Sequence, residues 1–349
     1  LEAMIGIAAR LQKIVGEPYS VDEARILVTA CVGFCLPSRA PSQSADAFLH
    51  AAENALETAQ KSGPGSVRAY TPAMYTKPGP SRFAGKEVLK ALETGQIVPW
   101  FQPQISTDTG KLTGFEALAR WQHPERGQVA PGAFLPAIAN AGLFERLGEV
   151  MLFKSLTALR DWDRAGLDVP SVAINLSTDE LRNPKLFDKI RWELDRFDLA
   201  PERLTVEILE NVVADSEDDT AARNIAALSR LGCRIDLDDF GTGHASITSI
   251  RRFDVHRIKI DRSFVTHVDT DRDQQNMVAA ILTMAERLGV ETLGEGVESV
   301  GEHAMLAQLG CDHVQGYSIG KPMPFEETIS WITAQHSTVP KAPTLKKQA

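Results

Sequence analysis

From Phe83 onward, short apolar runs alternate with amphipathic stretches whose apolar positions recur at helical spacing. This alternation is typical of βα repeats that build a mainly parallel sheet. The eight runs that qualify as strands are Ile97–Phe101, Leu112–Leu118, Ser171–Leu176, Leu204–Leu209, Cys233–Leu237, Arg257–Ile260, Glu291–Leu293 and His313–Val314. They predict an α/β fold, a (β/α)8 barrel of the TIM type. An open doubly wound sheet is the alternative, but no Gly-x-Gly-x-x-Gly turn follows the first strand.

The pattern before Phe83 predicts a small N-terminal α/β fragment. Leu1–Val15 has apolar residues at helical spacing, Arg25–Cys35 reads as a strand, and Ser44–Lys61 reads as a second helix. The Pro-, Gly- and Ser-rich stretch Ser62–Arg82 reads as a linker. The expected domains are residues 1–70 for the fragment, 71–84 for the linker, 85–336 for the barrel and 337–349 for a disordered tail.

Length, charge and cysteine content narrow the class of protein. The 349 residues accommodate a barrel of about 250 residues and an additional piece. A net charge of -9 disfavours general binding to nucleic-acid backbones. The 4 cysteines lie in apolar surroundings without a Cys-x-x-Cys pair, which predicts reduced thiols and a cytoplasmic location.

The sequence shows no membrane-spanning run and no signal peptide. Because the chain opens on Leu1, we expect it to be a piece of a longer protein whose upstream sensor or membrane segments lie outside it. The expected location is therefore cytoplasmic, including the case of a cytoplasmic part of a larger membrane-anchored protein.

The stretch Arg234–Gly243 concentrates the candidate chemistry, because a buried strand runs into adjacent carboxylates and then a glycine-rich loop. Asp236, Asp238 and Asp239 crowd its end, where like charges about 4 Å apart repel by roughly 4 kcal/mol at an effective dielectric near 20. A divalent cation would relieve this repulsion. The alternative is a strand that ends in solvated acids at a turn.

Similar residues follow the other predicted strands. The strand-end residues are Glu116, Asn175, Glu207, Glu210, Asp238, Asp239, Lys259, Glu295 and Gln315. Each alone is compatible with a solvated acid or a surface ion pair. Since the C-terminal ends of barrel strands share one mouth, we expect these side chains to converge there. Oxygen ligands without a Cys/His cluster favour magnesium or manganese over zinc.

Several motifs carry a family resemblance over roughly residues 85–335. They are Phe101-Gln-Pro103, Phe115-Glu-Ala-Leu-Ala-Arg-Trp121, Ile174-Asn-Leu-Ser177, Glu207-Ile-Leu-Glu210, Asp238-Asp-Phe-Gly-Thr-Gly243, Ile258-Lys-Ile-Asp261, Gly294-Glu-Gly-Val-Glu298 and Gln315-Gly-Tyr317. In combination the chain resembles the EAL-domain cyclic di-GMP phosphodiesterases. The resemblance implies a TIM-type barrel with one reversed strand and the hydrolysis of cyclic di-GMP to linear 5'-pGpG. It also implies a two-metal site for Mg2+ or Mn2+ and, for partners, cyclic di-GMP and a second copy of the chain as a homodimer.

The resemblance also implies a role for each matching residue. Glu116, Asn175, Glu207 and Asp238 would hold one metal, with Asp238 bridging to a second held by Asp239. The residues implied to orient and deprotonate the attacking water are Lys259 and Glu295. Arg120 would grip a phosphate, and its planar fork suits phosphate oxygens. The remaining implied roles are ligand binding by Gln102 and Gln315 and loop anchoring by Glu210 and Glu298.

Val28-Thr-Ala-Cys-Val-Gly33 and Ala52–Gln60 resemble the last strand and helix of a GGDEF (diguanylate cyclase) domain. The signature hairpin of that family is absent, and Gln60 and Pro64 stand where it has phosphate-contacting Lys and Arg. We therefore expect a degenerate remnant without cyclase activity. In the barrel, His244 and the pair Ala139-Asn140 depart from the EAL pattern without touching the implied metal set.

Three functions from different classes remain open at this stage. The first is an active metal-dependent phosphodiesterase, and the second is a silent cyclic di-GMP receptor that signals to a protein partner. The third is a scaffold whose barrel only mediates assembly. The full set of implied metal ligands and Lys259 favours the first.

Overall fold

The computed structural model describes most of the chain. The described residues are 2–16, 19–21, 24–26, 28–36, 39, 48, 51–52, 55–56, 58–60, 63–71, 83–209, 220–241 and 247–338. The chain forms two compact units, Leu1–Pro80 and Ser81–Ala349. Among the described residues, no helix has the length and apolar character needed to cross a lipid bilayer.

The N-terminal unit begins with helix α1 (Glu2–Val15), as the sequence predicts. Strands β1 (Tyr19–Val21) and β2 (Ala24–Ile26) form an antiparallel pair, whereas β3 (Val32–Phe34) pairs in parallel with β4 (Val67–Ala69). The prediction of one strand over Arg25–Cys35 is therefore wrong. The apolar run is divided because its two halves bond to different partner strands, which the run itself does not reveal.

A helix packs on β3 in this unit. The described residues between 48 and 60 are helical, and Ala51 and Ala55 are buried in a small cluster with Tyr70. Gly33 permits the approach, because a Cβ there would lie 2.1 Å from the backbone nitrogen of Leu56. The remaining residues of the predicted helix Ser44–Lys61 lie outside the described residues.

The second unit is a closed barrel of eight strands, which confirms the predicted fold. The strands are β5 (Ile97–Ser106), β6 (Leu112–His123), β8 (Val172–Asn175), β9 (Leu204–Leu209), β10 (Arg234–Phe240), β11 (Arg257–Ile260), β12 (Glu291–Gly294) and β13 (His313–Gln315). They pair in the order β5-β13-β12-β11-β10-β9-β8-β6, and β5 closes the ring on β6. β5 is antiparallel to both neighbours, so it is the reversed strand.

The first two barrel strands are longer than their apolar runs predict. β5 and β6 form a hairpin whose register extends from Ile97 opposite Trp121 to Ile105 opposite Leu112. A short strand, β7 (Gly127–Val129), continues the antiparallel pairing on β6. Antiparallel strands can be joined by a short turn, without a crossover helix. Cross-strand hydrogen bonds therefore continue to the ends of the hairpin and keep the backbone extended beyond the apolar residues.

Helices surround the barrel in the βα order. They are α2 (Gly85–Glu93), α3 (Pro131–Asn140), α4 (Phe144–Arg164), α5 (Thr178–Leu181), α6 (Leu186–Phe197), α7 (Thr220–Leu231), α8 (Ile247–Arg252), α9 (Arg262–Val265), α10 (Arg272–Leu288), α11 (Val300–Leu309) and α12 (Phe325–Thr338). Outward-facing strand residues such as Val206, Leu237 and Ile258 are fully buried in the core that these helices share with the sheet. Burial of each such side chain contributes about 1.5–3 kcal/mol.

The inside of the barrel has the opposite character. Glu207, Asp236 and Lys259 are each 1% exposed and alternate with the apolar outward residues of β9, β10 and β11. Barrel interiors are usually filled by branched aliphatic side chains. The charged interior of this barrel therefore calls for a chemical explanation beyond packing.

Candidate metal centre and active site

The acids at the strand ends meet because the parallel strands are aligned in register. Asn175 lies opposite Glu207 across β8 and β9, and Asp238 lies opposite Leu209 across β9 and β10. Side chains two residues apart on a strand face the same side. The alternation that buries the apolar residues against the helices thus directs Glu207, Asp238 and Lys259 into the barrel.

Lys259 lies at the centre of the barrel mouth. Its Nζ is 2.9 Å from Glu207 Oε2, 2.9 Å from Asp238 Oδ1 and 2.8 Å from Glu295 Oε1. Glu116 Oε2 is farther from Nζ, at 3.7 Å. We call the mouth cluster the group formed by Glu116, Glu207, Asp238, Asp239, Lys259 and Glu295. The mouth cluster therefore contains five acids from four strands or strand ends, since Asp238 and Asp239 are neighbours on β10.

Burial and mutual repulsion shift the titration of these acids. Burial raises the pKa of Glu207 well above its usual value, and the Glu116 carboxylate adds to the rise. Burial also raises the pKa of Glu295 to about 8, against the opposing effect of Lys259. In Glu116 the Lys259 ammonium and a hydrogen bond from Gln315 outweigh burial, so the pKa of that carboxyl is lowered.

The mouth cluster carries more negative charge than its lysine can neutralise. Burial alone would lower the pKa of Lys259, but Glu116 and Glu207 raise it well above the usual value, so the ammonium stays charged. Five carboxylates less one ammonium leave four negative charges when all the acids are ionised. Two divalent cations carry four positive charges, which matches this excess.

Buried oxygens support the same assignment. Both carboxylate oxygens of Glu207 and Oδ1 of Asp238 are buried, and the cation that meets them within the described part of the chain is the shared Lys259 ammonium, 2.9 Å from Glu207 Oε2 and from Asp238 Oδ1. Asp238, Asp239 and Glu295 each offer one carboxylate oxygen to a space in which these atoms lie within 4.8 Å of one another. Since every donor is an oxygen, the residues fit Mg2+ or Mn2+.

Asp239 is also conformationally unusual. Its φ is 54°, in the left-handed region that residues other than glycine rarely adopt. Such strain costs of order 1–3 kcal/mol and persists mainly at functional sites. The backbone conformation therefore agrees with the position of Asp239 at the edge of a binding site.

Glutamine side chains organise the Glu116 side of the mouth. Gln315 Nε2 donates to Glu116 Oε2 at 2.6 Å and to Gln102 Oε1 at 3.1 Å. Asn175 Nδ2 donates to Glu116 Oε1 at 3.0 Å. Gln102 and Gln315 are both buried. Gln315 donates to the acid directly, whereas Gln102 is linked to it through Gln315.

Arg120 lies on β6 four residues beyond Glu116, toward the open end of the mouth. The side chain is half-buried, and Nη1 donates to the carbonyl oxygen of Ala119 at 2.9 Å. Burial lowers the pKa of Arg120, while Tyr317 and Glu116 oppose the change. The guanidinium therefore stays charged at the open end of the mouth.

Asp236 does not belong to the mouth cluster, contrary to the expectation that three acids crowd the end of β10. It pairs with Arg257 across β10 and β11, and Arg257 Nε donates to Asp236 Oδ2 at 2.7 Å. Both side chains are buried inside the barrel, one alternation step below Asp238 and Lys259. The sequence could not show this pairing, since it depends on the register between the two strands.

Of the two residues predicted to anchor loops, Glu298 lies within the described part of the chain. Glu298 is exposed, and only its backbone nitrogen has a bond here, to Glu302 Oε2 at 2.9 Å. The buried anchor is Glu302, which also accepts from the backbone of Ser299 and His267 at 3.0 Å each. The spacing Ser299-x-x-Glu302 is a capping box at the start of α11 and was the signal that could have identified it. Glu210 and His244 lie outside the described residues.

A cavity of about 460 Å3 lies elsewhere, on the outer surface of the barrel between α4 and α6. Its lining includes Leu152, Phe153, Leu186 and Ile190 and contains none of the mouth acids. Cavities of this size can bind small molecules. The chemistry of the mouth cluster, rather than cavity volume, identifies the candidate active site.

Known proteins are similar to this chain in sequence and in fold. The EAL domain pattern matches residues 86–322. The bifunctional diguanylate cyclase/cyclic di-GMP phosphodiesterase MucR of Pseudomonas aeruginosa is 30% identical over 326 residues, which cover 93% of this chain and 47% of MucR. Cyclic di-GMP phosphodiesterase PdeR of Escherichia coli is 32% identical over 324 residues, covering 93% and 48%. The chain thus spans about half the length of these curated relatives.

Solved structures agree. The MucR phosphodiesterase of Pseudomonas aeruginosa in complex with c-di-GMP has a TM-score of 0.66 and 34% identity, covering 70% of this chain and 98% of that one. An EAL domain protein from Listeria monocytogenes has a TM-score of 0.63 and 26% identity, covering 72% and 99%. Together with the matched residues, the closed barrel and its reversed strand, these similarities show that the chain belongs to the EAL domain family.

Proposed function

We propose that the barrel hydrolyses one phosphodiester bond of cyclic di-GMP to give linear 5'-pGpG, using two Mg2+ or Mn2+ ions. The observation that carries the proposal is the mouth cluster, in which one buried lysine is the shared cationic partner, at 2.8–2.9 Å, of three carboxylates. The names of MucR and PdeR and the c-di-GMP complex of the MucR domain support the choice of substrate.

The proposed ligand set follows from the donor atoms. Glu116, Asn175, Glu207 and Asp238 would hold one ion, and Asp239 the second, with Asp238 shared between them. When bound, such ions polarise the phosphate and neutralise the charge that develops on its oxygens. The buried carboxylates of Glu207 and Asp238, which share one ammonium with Glu295, are the groups that gain most from a cation.

Glu295 and Lys259 would act on the attacking water. Glu295, whose pKa is raised to about 8, accepts a proton from water, while Lys259 holds that carboxylate at 2.8 Å and orients it. The water oxygen bonds to phosphorus, the bond from phosphorus to the 3' oxygen breaks, and the leaving oxygen takes a proton from solvent. One cyclic substrate and one water thus give one linear product with a 5' phosphate.

Arg120 and Gln102 would contribute to substrate binding. The Arg120 guanidinium is charged, lies at the open end of the mouth and has spare donors beyond its bond to Ala119. Gln102 lies on the neighbouring strand β5, opposite Glu116, and donates to the carbonyl oxygen of Gly320 at 3.2 Å. A bis-phosphate ligand offers both residues oxygen acceptors, and the metal ions offset the acidity of the mouth.

The decisive experiment incubates the purified chain with cyclic di-GMP and separates the nucleotides by chromatography. We expect pGpG with Mg2+ or Mn2+ and little product after chelation. Calcium should bind without supporting much turnover, because its longer and looser coordination would misplace the reacting groups. Binding of cyclic di-GMP without product under either metal would contradict hydrolysis and favour the receptor function.

The proposal also covers the N-terminal unit, the oligomeric state and the location of the protein. We infer that residues 1–70 are a degenerate GGDEF remnant without cyclase activity, joined to the barrel through residues 71–84. The match to MucR, a protein named for both activities, extends over 93% of the chain and so well beyond the EAL region. A homodimer in the cytoplasm is the expected working form. Sedimentation of the purified chain, with and without residues 1–84, tests the dimer.

A further inference from the structure

A chain of buried hydrogen bonds connects the lower layer of the barrel to the mouth cluster. We use the name relay for three of these side chains: Arg257, Gln104 and Gln315. Arg257 Nη2 donates to Gln104 Oε1 at 2.8 Å, and Gln104 Nε2 donates to Gln315 Oε1 at 2.8 Å. Gln315 Nε2 then donates to Glu116 Oε2 at 2.6 Å. All four side chains are buried, at 1–6% exposure.

The relay has a direction that follows from its first member. A guanidinium has donors and no acceptor, so Gln104 must present its carbonyl oxygen to Arg257. The amide nitrogen of Gln104 is thereby turned toward Gln315, whose own oxygen must accept. Gln315 is left with its nitrogen facing Glu116. Had Gln104 the opposite orientation, an amide oxygen of Gln315 would face the Glu116 carboxylate and repel it.

Strand register supplies the contacts. Gln104 lies opposite Gln315 across β5 and β13, and Asp236 lies opposite Arg257 across β10 and β11. Asp236 neutralises Arg257 and so makes a buried guanidinium tolerable. Without the donor from Gln315, Glu116 would retain Asn175 at 3.0 Å and a lysine at 3.7 Å.

We propose that Arg257 and Gln104 are positioning residues for the metal centre, which fix Gln315 as a hydrogen-bond donor and hold the Glu116 carboxylate oriented for a divalent cation. The inference rests on the proposed two-metal function and assigns a part to residues that contact neither metal nor substrate. Partners that orient a ligand in this way typically change metal affinity about 10- to 100-fold when removed.

Gln104→Glu separates this role from a merely structural one. A glutamate still accepts from Arg257, which keeps it ionised, but it cannot donate to Gln315. If Gln104 and Arg257 were only a structural pair, the added negative charge would strengthen their interaction. Electrostatic attraction alone would also tighten Mn2+ binding, because a negative charge is added near the mouth. The relay predicts the opposite: Gln315 turns its nitrogen toward residue 104 and its oxygen toward Glu116, and Mn2+ binding weakens about 10-fold.

The measurement is a titration of the full chain with Mn2+ alone. Binding is monitored by calorimetry and by the electron paramagnetic resonance signal of the free ion. Arg257→Lys is a second variant, because a lysine keeps the charge beside Asp236 but lacks the fork that also reaches Gln104. It should weaken Mn2+ binding by several-fold. Thr328→Val is the matched control, since it removes a buried 2.8 Å bond to Trp162 in the helix layer. It should lower the Tm and leave Mn2+ affinity unchanged.

The outcomes separate the two proposals. Weaker Mn2+ binding by Gln104→Glu, with Thr328→Val equal to wild type, supports the relay. Equal or tighter binding by a folded Gln104→Glu overturns the relay and leaves the metal site intact. Failure of the wild-type chain to bind Mn2+ at all would overturn the metal site and the relay together.

Discussion

Two layers of the barrel, two residues apart along β10 and β11, differ in how their buried charges are balanced. In the lower layer Asp236 and Arg257 form a one-to-one pair, and the guanidinium also donates to Gln104. In the mouth, Asp238 and Lys259 lie two residues farther along β10 and β11, and the lysine is shared among several acids.

The difference lies in balance rather than in the number of charged groups. The lower layer leaves no net charge, and the fork of Arg257 is used by two acceptors. The mouth has a net excess of acid, raised carboxyl pKa values at Glu207 and Glu295, and one ammonium shared among several carboxylates. A buried pair that is complete resembles a structural element, whereas a buried cluster that is incomplete predicts a ligand that completes it.

The largest expected effect comes from breaking the balanced layer. Arg257→Met leaves Asp236 buried without its cation, and such a loss costs about 3–5 kcal/mol of unfolding free energy. Adding Asp236→Leu to the same chain should restore most of the loss, since both partners are then apolar. Urea denaturation of the single and double variants measures this. A double variant as unstable as the single one would show that Asp236 and Arg257 are not a self-contained pair.

At the mouth the corresponding change should spare the fold and stop the chemistry. Glu295→Gln removes the proposed base and should lower kcat about 10²-fold or more. Affinity for cyclic di-GMP should be largely retained, which equilibrium dialysis in Ca2+ would measure. The matched variant is Glu291→Gln, whose exposed side chain lies on the same strand at the opposite end. Equal and small effects of both variants would mean that the site is misplaced.

A smaller effect with the opposite sign is expected for Glu207→Gln. This change removes one of the crowded charges in the metal-free mouth, so the apo chain should gain about 1 kcal/mol of unfolding free energy, as relief of a strained functional site often gives. The same variant should lose most of its stabilisation by Mg2+. Thermal unfolding without Mg2+ tests the gain in stability, and thermal unfolding in about 10 mM Mg2+ tests the loss of stabilisation by the ion. A destabilised apo variant would argue that Lys259 already balances the cluster.

The smallest effect is a pH dependence of the apo chain. Burial raises the pKa of Glu295 to about 8, so folding favours its protonated form. The associated stability is complete below the ordinary carboxyl range and is lost as the pH rises through about 8. Because cations need the ionised form, the rise in Tm produced by Mg2+ should be larger at pH 8.5 than at pH 6. For the Glu295→Gln chain this difference between the two pH values should shrink by a few degrees.

Much of the fold and part of the site were predictable because they depend on local patterns. Apolar runs and alternation located all eight strands, since a side chain on a strand faces the core or the interior according to its parity. Their position at strand ends predicted that Glu207, Asp238 and Lys259 share the mouth, where each acid lies 2.9 Å from the lysine Nζ. The reversed first strand followed from family resemblance, not from the pattern.

Parity determines which face a residue occupies, but only strand register determines which residue it meets. Asp236 looked like a third acid of the mouth until the alignment of β10 with β11 placed Arg257 opposite. Gln104 carried no signal of its own, because an isolated glutamine on a strand has no pattern that indicates its cross-strand partner. The sequence by itself therefore determined the strands and the inward acids, while the tertiary structure decided which buried charges are balanced and which are in excess.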